Sequence, residues 1–116
     1  MASDEEFVQN VRDQVRGAGD VSYRKMFGEY AVYVGQKVVA LVCDNQLFLK
    51  QTDAARALMP SVTEAPPYPG ARPHFVMDEY LDDRELISEL FRVTADALPL
   101  PKPKKSRGSK RTPKKR

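Results

Sequence analysis

The sequence predicts an α+β fold in two layers: a helix, a three-stranded antiparallel meander, a second helix, one or two further strands and a last helix, with a disordered basic tail. Three observations predict it. Three short apolar runs lie between Tyr23 and Lys50, separated by two tight breaks, which is the pattern of a meander. Segments on either side carry apolar residues at helical spacing. Strands and helices are segregated and show no βαβ alternation, so a parallel doubly wound sheet is not expected.

Asp4 to Arg16 reads as the first helix. Phe7, Val8, Val11 and Val15 make one apolar face. Ser3 or Asp4 can cap it, and Asp4, Glu5 and Glu6 suit the positive end of the helix dipole. Gly17-Ala18-Gly19-Asp20 ends it. Val21 to Phe27 reads as a connector without an assigned state, closed by Gly28. Tyr30 to Val34 is rich in β-formers and reads as the first strand. Gly35-Gln36 suits a type II′ hairpin turn. Lys37 to Cys43 is apolar at both parities, with Val38, Ala40 and Val42 opposed to Val39, Leu41 and Cys43, as in a central strand covered on both sides. Asp44-Asn45 is a second turn, since both residue types tolerate positive φ. Gln46 to Lys50 completes the meander.

Thr52 or Asp53 caps a short helix from Ala54 to Met59, stopped by Pro60. Ser61 to Ala65 is a candidate strand. Pro66 to Pro73 is too rich in proline for a central strand. His74 to Leu81 reads as a strand, and Asp82-Asp83 caps a final helix from about Arg84 to Leu98. Leu86, Ile87, Leu90, Phe91, Thr94, Ala97 and Leu98 give that helix a stripe wide enough to cover a sheet.

Charge divides the chain in two. Nine of the 19 basic residues and none of the 16 acidic ones lie in residues 102–116, leaving ten basic against 16 acidic elsewhere, a balance of −6. The net charge of +3 therefore describes an acidic body with a basic tail. After Leu100 the tail has no large apolar residue, so it cannot offset its ordering entropy and is expected to be disordered. Residues 1–99 read as one domain and residues 100–116 as the tail. The acidic N-terminus lacks the apolar core of a secretory signal, no run approaches the ~20 apolar residues that span a bilayer, and the single cysteine fits a reducing compartment. A cytoplasmic protein is the expectation.

Candidate chemistry is sparse. Cys43 ends an apolar strand far in sequence from the single histidine and reads as a small buried hydrophobe, not a nucleophile. His74 with one cysteine falls short of a zinc ligand set, so no metal is expected. Asp78, Glu79, Asp82, Asp83 and Glu85 lack the spacing of a calcium loop and read as a solvated helix start. No phosphate-binding glycine loop or catalytic triad is present, and neither an enzyme nor a cofactor is expected. Tyr23, Tyr30, Tyr33 and Phe48 read as sheet residues in preference to a base-stacking platform. Arg24-Lys25 beside Met26-Phe27 is a candidate nucleic-acid contact, weighed against an ordinary charged edge over two core residues. The tail stands above such alternatives. Lys102, Lys104, Lys105, Arg107, Lys110, Arg111, Lys114, Lys115 and Arg116 suit non-specific binding of a polyanion through counterion release.

Arg24-Lys25-Met26-Phe27-Gly28, then Tyr30 to Tyr33, Lys37 to Val42, Leu47-Phe48-Leu49-Lys50 and Tyr68-Pro69-Gly70, together resemble the N-terminal domain of the TfoX/Sxy family. The resemblance spans about Phe7 to Leu98. It implies the same order of elements: helix, three strands, helix, two strands, helix. It also implies a regulatory role in competence and transcription, which in the family involves the cyclic-AMP receptor protein at promoters, and a structural role for Met26, Phe27 and Gly28. It brings no catalytic residues. Glu29 stands where the family pattern has a second glycine, so this position is expected not to need a glycine-only conformation. The basic tail stands where full-length members carry a second, helical domain, and a stand-alone domain is the expectation. Two function classes follow: a DNA-associated regulator with a transcription-factor or other protein partner, or a protein-binding adaptor that uses its sheet surface with the tail incidental.

Overall fold

Six antiparallel strands form one sheet in the computed structural model, which describes residues 4–100. The expected disorder of the tail, and Ser3 as a cap, fall outside the described residues. Chain order is α1 (Glu5–Gln14), a 3₁₀ turn (Arg16–Ala18), β1 (Val21–Met26), β2 (Glu29–Val34), β3 (Lys37–Cys43), β4 (Gln46–Leu49), α2 (Asp53–Arg56), β5 (Glu64–Ala65), β6 (His74–Val76), a 3₁₀ turn (Asp78–Tyr80) and α3 (Arg84–Ala97). The strands lie in the order β1-β2-β3-β4-β6-β5.

Val21 to Met26, expected as a connector, is the edge strand β1. It pairs with β2 along its whole length, from Val21 with Val34 to Met26 with Glu29. Val21 and Tyr23 alternate onto the core while Ser22 and Arg24 point away. The meander therefore has four strands, one more than expected. Among the described residues only one flank of β1 is hydrogen-bonded, so it can carry Arg24 and Lys25, whose charge also discourages edge-to-edge association. β3 is central, as expected. A register shift pairs Val32 with Ala40 but Tyr33 with Val38, so Val39 is an extra residue and joins Ala40 and Val42 in the core, not the opposite face.

Boundaries move for local reasons. α1 ends at Gln14 because the backbone tightens into the 3₁₀ turn, and Gly19, at φ +135°, redirects it into β1. Asp4 occupies the N-cap without a side-chain bond, whereas Thr52 accepts from the Ala55 N–H and Asp83 from the Leu86 N–H. α2 lasts only to Arg56. The strand expected to reach Leu81 stops at Val76. The Met77 N–H still donates to the Leu47 carbonyl, but the chain then coils so that the Tyr80 hydroxyl donates to the Ser61 carbonyl.

The core lies between the sheet and α1, α2 and α3. Val8, Val11 and Val15 meet Val32, Val42, Leu47, Leu49 and Phe75 from the sheet, and Ile87, Leu90 and Phe91 from α3. Polar contacts seal the layer. Gln14 Nε2 donates to the Leu81 carbonyl, and Lys37 Nζ reaches the Ala95 carbonyl at 2.6 Å, placing a cation at the negative end of α3. Thr94 is fully buried and its Oγ1 has no hydrogen-bond partner among the described residues. Thr94→Val keeps the shape and removes the desolvated hydroxyl, so a gain of about 1 kcal/mol is expected in a urea melt. A loss of stability would show that the hydroxyl is satisfied.

Candidate functional site

The β1–β2 hairpin closes through two residues. Met26 pairs with Glu29, and Phe27 and Gly28 sit between them at φ +53° and +82°. Two positive φ values are the pattern of a type I′ turn, which glycine, asparagine and aspartate adopt readily. Asp44 and Asn45, at φ +55° and +56°, make the neighbouring β3–β4 turn with suitable residue types. Phe27 is the exception: a bulky residue in the left-handed region is rare. Its side chain is also fully exposed, at 104 % of its reference area, and Met26 is 41 % exposed. Phe27 is therefore not a core residue, whereas Met26 is part-exposed at the end of β1, paired with Glu29. Gly28 and Phe27 together make the turn. Glu29 lies in extended β2, so it needs no glycine conformation.

Alternation along the strands sends Tyr30, Val32 and Val42 to the helices, and Ala31, Leu41, Cys43 and Phe48 to the other face. Ala31, Cys43 and Phe48 are buried there. At the Phe27 end, Met26, Phe27, Leu41 and Cys43 line a groove of about 560 Å³, with Pro67, Tyr68 and Pro69 also on its walls. Glu29 and Asp44 line it too, and among the described residues no lysine or arginine does. The Glu29 carboxylate accepts from the Asp44 N–H at 3.2 and 3.3 Å, which holds it beside the β3–β4 turn. More negative charge gathers at the same end of the sheet. The Asp4 N–H donates to Asn45 Oδ1, and Glu5 accepts from the Tyr23 hydroxyl at 2.9 Å. Tyr23 in turn stacks edge-on against Tyr30.

Cys43 reaches the groove but is not a poised nucleophile. Burial raises its thiol pKa above the ordinary 9.0, and Glu29 and Asp44 raise it further. His74 does not line the groove. Its Nδ1 is 2.9 Å from the Arg72 carbonyl, and its Nε2 is buried without a partner among the described residues. Tyr30 is also raised, by burial first and then by Glu5, Tyr23, Asp4 and Glu29. Both groups bind protons more tightly folded than unfolded, so their contribution is complete below their unfolded pKa values of 9.0 and 10.0 and is lost as pH rises through the folded values. Unfolding free energy is therefore expected to fall as pH climbs above about 9. Urea melts at stepped pH check this, and a flat profile would contradict it.

Arg24 and Lys25, expected as one basic contact, are consecutive in β1 and point to opposite faces of the sheet. Arg24 stands over the Tyr33 ring at 5.8 Å, and the pair does not form a single patch. Lys102, Lys104, Lys105, Arg107, Lys110, Arg111, Lys114, Lys115 and Arg116 lie outside the described residues. Tyr30 and Phe48 are buried in the sheet, so they offer no stacking platform. Sequence reasoning missed the groove. Its signal was available in Phe27-Gly28 between two strand-like runs, because a two-residue turn there puts Phe27 at the tip. The opposite wall from Pro67 to Pro69 had no local signal.

The family model described as the TfoX N-terminal domain matches residues 13–98. A protein of Spirochaeta aurantia, described as an uncharacterized 12.7 kDa protein in the trpE 5′ region, is 43 % identical over 107 residues. The match covers 92 % of this chain and 93 % of that relative. Among the described residues, no helix is long and apolar enough to cross a membrane.

Proposed function

The chain belongs to the TfoX N-terminal domain family, and from that premise we propose that it is a non-catalytic bacterial regulator of the competence or transcription type, working in the cytoplasm as a DNA-associated accessory protein. Its basic run from Lys102 to Arg116 binds nucleic acid without sequence preference. The observation that carries this reading is the separation of charge, with nine cations in residues 102–116 and a balance of −6 elsewhere. An acidic body is repelled by phosphate, so the affinity must come from the tail. The non-catalytic part is supported by a thiol held in its protonated form and by a single histidine away from the groove. The test is duplex DNA binding by the full chain and by a variant with the nine tail cations changed to glutamine, each across a range of salt. Equal affinity for both would sink the tail mechanism.

A second reading, a protein-binding adaptor that uses the sheet surface, is supported by the exposure of Met26 and Phe27 beside the groove. A transcription factor is one partner of that kind.

A further inference from the structure

We infer that Phe27 and the groove beside it form a two-fold interface between copies of this chain, in which the Phe27 ring of each copy fills the groove of the other. The inference goes beyond both functional readings: the occupant is a second copy, and the role of the tail is unaffected.

Five large hydrophobic residues are exposed among the described residues, and three of them, Met26, Phe27 and Tyr68, line this one groove. Clustering of that kind marks an interaction surface, whereas scattered exposure does not. Phe27 adds an independent sign. Asparagine or glycine would make its turn without strain, yet a phenylalanine is held there with its ring wholly in solvent. A ring so placed has contact to gain only from another molecule.

Shape and area select the occupant. The hairpin tip carries a projecting ring, and a groove of about 560 Å³ opens between that tip and the wall from Pro67 to Pro69. A knob and a hole on one patch are what a two-fold interface needs, because each copy supplies what the other lacks. An unrelated protein would have to bring a matching knob and a matching hole; a second copy has both by symmetry. A small ligand in the groove would leave the ring uncovered. Taking ~200 Å² for a large side chain, Phe27, Tyr68 and Met26 leave on the order of 400 Å² open. Protein interfaces are about 57 % apolar, so this patch supports an interface of roughly 700 Å² per copy. That is close to the ~800 Å² per partner of a standard specific complex.

The remainder of the chain permits the pairing. Its net charge is only +3, and physiological salt screens such repulsion beyond ~8 Å. Leu98 and Pro99 lie beside Gln36 and Lys37, at the other end of β2 and β3, so the chain beyond them leaves from the far end of each copy.

The test is sedimentation equilibrium of the full chain from about 1 μM to about 1 mM. A monomer–dimer equilibrium is expected, with a dissociation constant of ~10–100 μM, the weak end for an interface of this area. It should survive in about 0.5 M salt, because apolar contact is not screened. Phe27→Asn, which suits the turn, is expected to weaken it ~10-fold or more while the melting temperature holds or rises. Tyr68→Ser, in the exposed opposite wall, is expected to weaken it several-fold without touching the hairpin. A mixture of the two variants is expected to pair more tightly than either alone, since one keeps its tip and the other its groove. A chain that stays monomeric to about 1 mM overturns the inference. So does a dimer of unchanged strength in Phe27→Asn or, should that variant fail to fold, in Tyr68→Ser. Growth past the dimer means a head-to-tail contact and overturns the two-fold arrangement. A dimer lost in about 0.5 M salt assigns the association to tail cations on the acidic body and overturns the groove as its site. If Phe27→Asn weakens binding of duplex DNA, or of a peptide of residues 101–116, and leaves self-association unchanged, the groove takes that occupant and the inference is overturned.

Discussion

Replacing the nine tail cations with glutamine is expected to abolish most duplex DNA binding at low salt and to flatten its salt dependence. If about six of the nine meet phosphates, the logarithm of the wild-type affinity should fall with the logarithm of salt at a slope near −5. A rise from about 50 to about 200 mM salt would then cost the wild type about a thousandfold. The mechanism is release of condensed counterions, so it needs charge and reach but no fixed geometry. The body makes the contrast larger. With −6 remaining outside the tail, the neutralised variant presents DNA with repulsion instead of a weaker attraction. Fluorescence anisotropy on a duplex of arbitrary sequence measures both slope and affinity, and a second duplex of different sequence should give the same values. A steep slope retained by the variant would place the phosphate contacts on the body, where Arg24 and Lys25 sit on opposite faces of one strand.

Phe75→Ala is expected to cost about 3–5 kcal/mol, a large share of the ~5–15 kcal/mol that stabilises an ordinary domain. β6 carries Phe75 between β4 and β5, with Leu49 and Glu64 as its pairing partners. The side chain is fully buried in the core with Leu47, Met77 and Leu90. The Arg56 guanidinium stands 5.0 Å from its ring centroid, and the same arginine pairs with Glu64 at 3.0 Å. That surface pair is worth little alone, so the loss is chiefly of apolar burial and of the cavity left behind. At about 4–8 °C per kcal/mol for a domain of this size, the melting temperature should drop by roughly 15 °C or more. Circular dichroism melts measure it, and a drop under about 5 °C would contradict the central placing of this ring. Phe27 is the useful comparison. The two residues are chemically identical, yet removing the exposed one leaves the core intact and relieves a left-handed backbone.

The difference between these phenylalanines shows how far local pattern reaches. Helical spacing located Val8 and Val11 in α1, with Val15 at its C-cap, and Ile87, Leu90 and Phe91 in α3, because a helix buries whichever face is apolar. The double parity of Lys37 to Cys43 marked the central strand. Turn chemistry located Gly35-Gln36 and Asp44-Asn45, since the residue types that tolerate positive φ are few. β1 was less legible. As an edge strand it is held by β2 on one flank only, and its charged residues masked the alternation of Val21 and Tyr23. The shift that puts Val39 in the core depends on how β2 and β3 pair, which no single strand records.

The sequence by itself determined the α+β class, the family and the division between an acidic body and a basic tail, because periodicity, motif order and charge are properties of neighbours along the chain. Only the tertiary structure decided that Phe27 faces solvent, that Arg24 and Lys25 part to opposite faces, and that Pro67 to Pro69 line one groove with Met26 and Leu41. Those facts depend on which distant residues cover a surface, and covering is set by packing between elements rather than by preference within them.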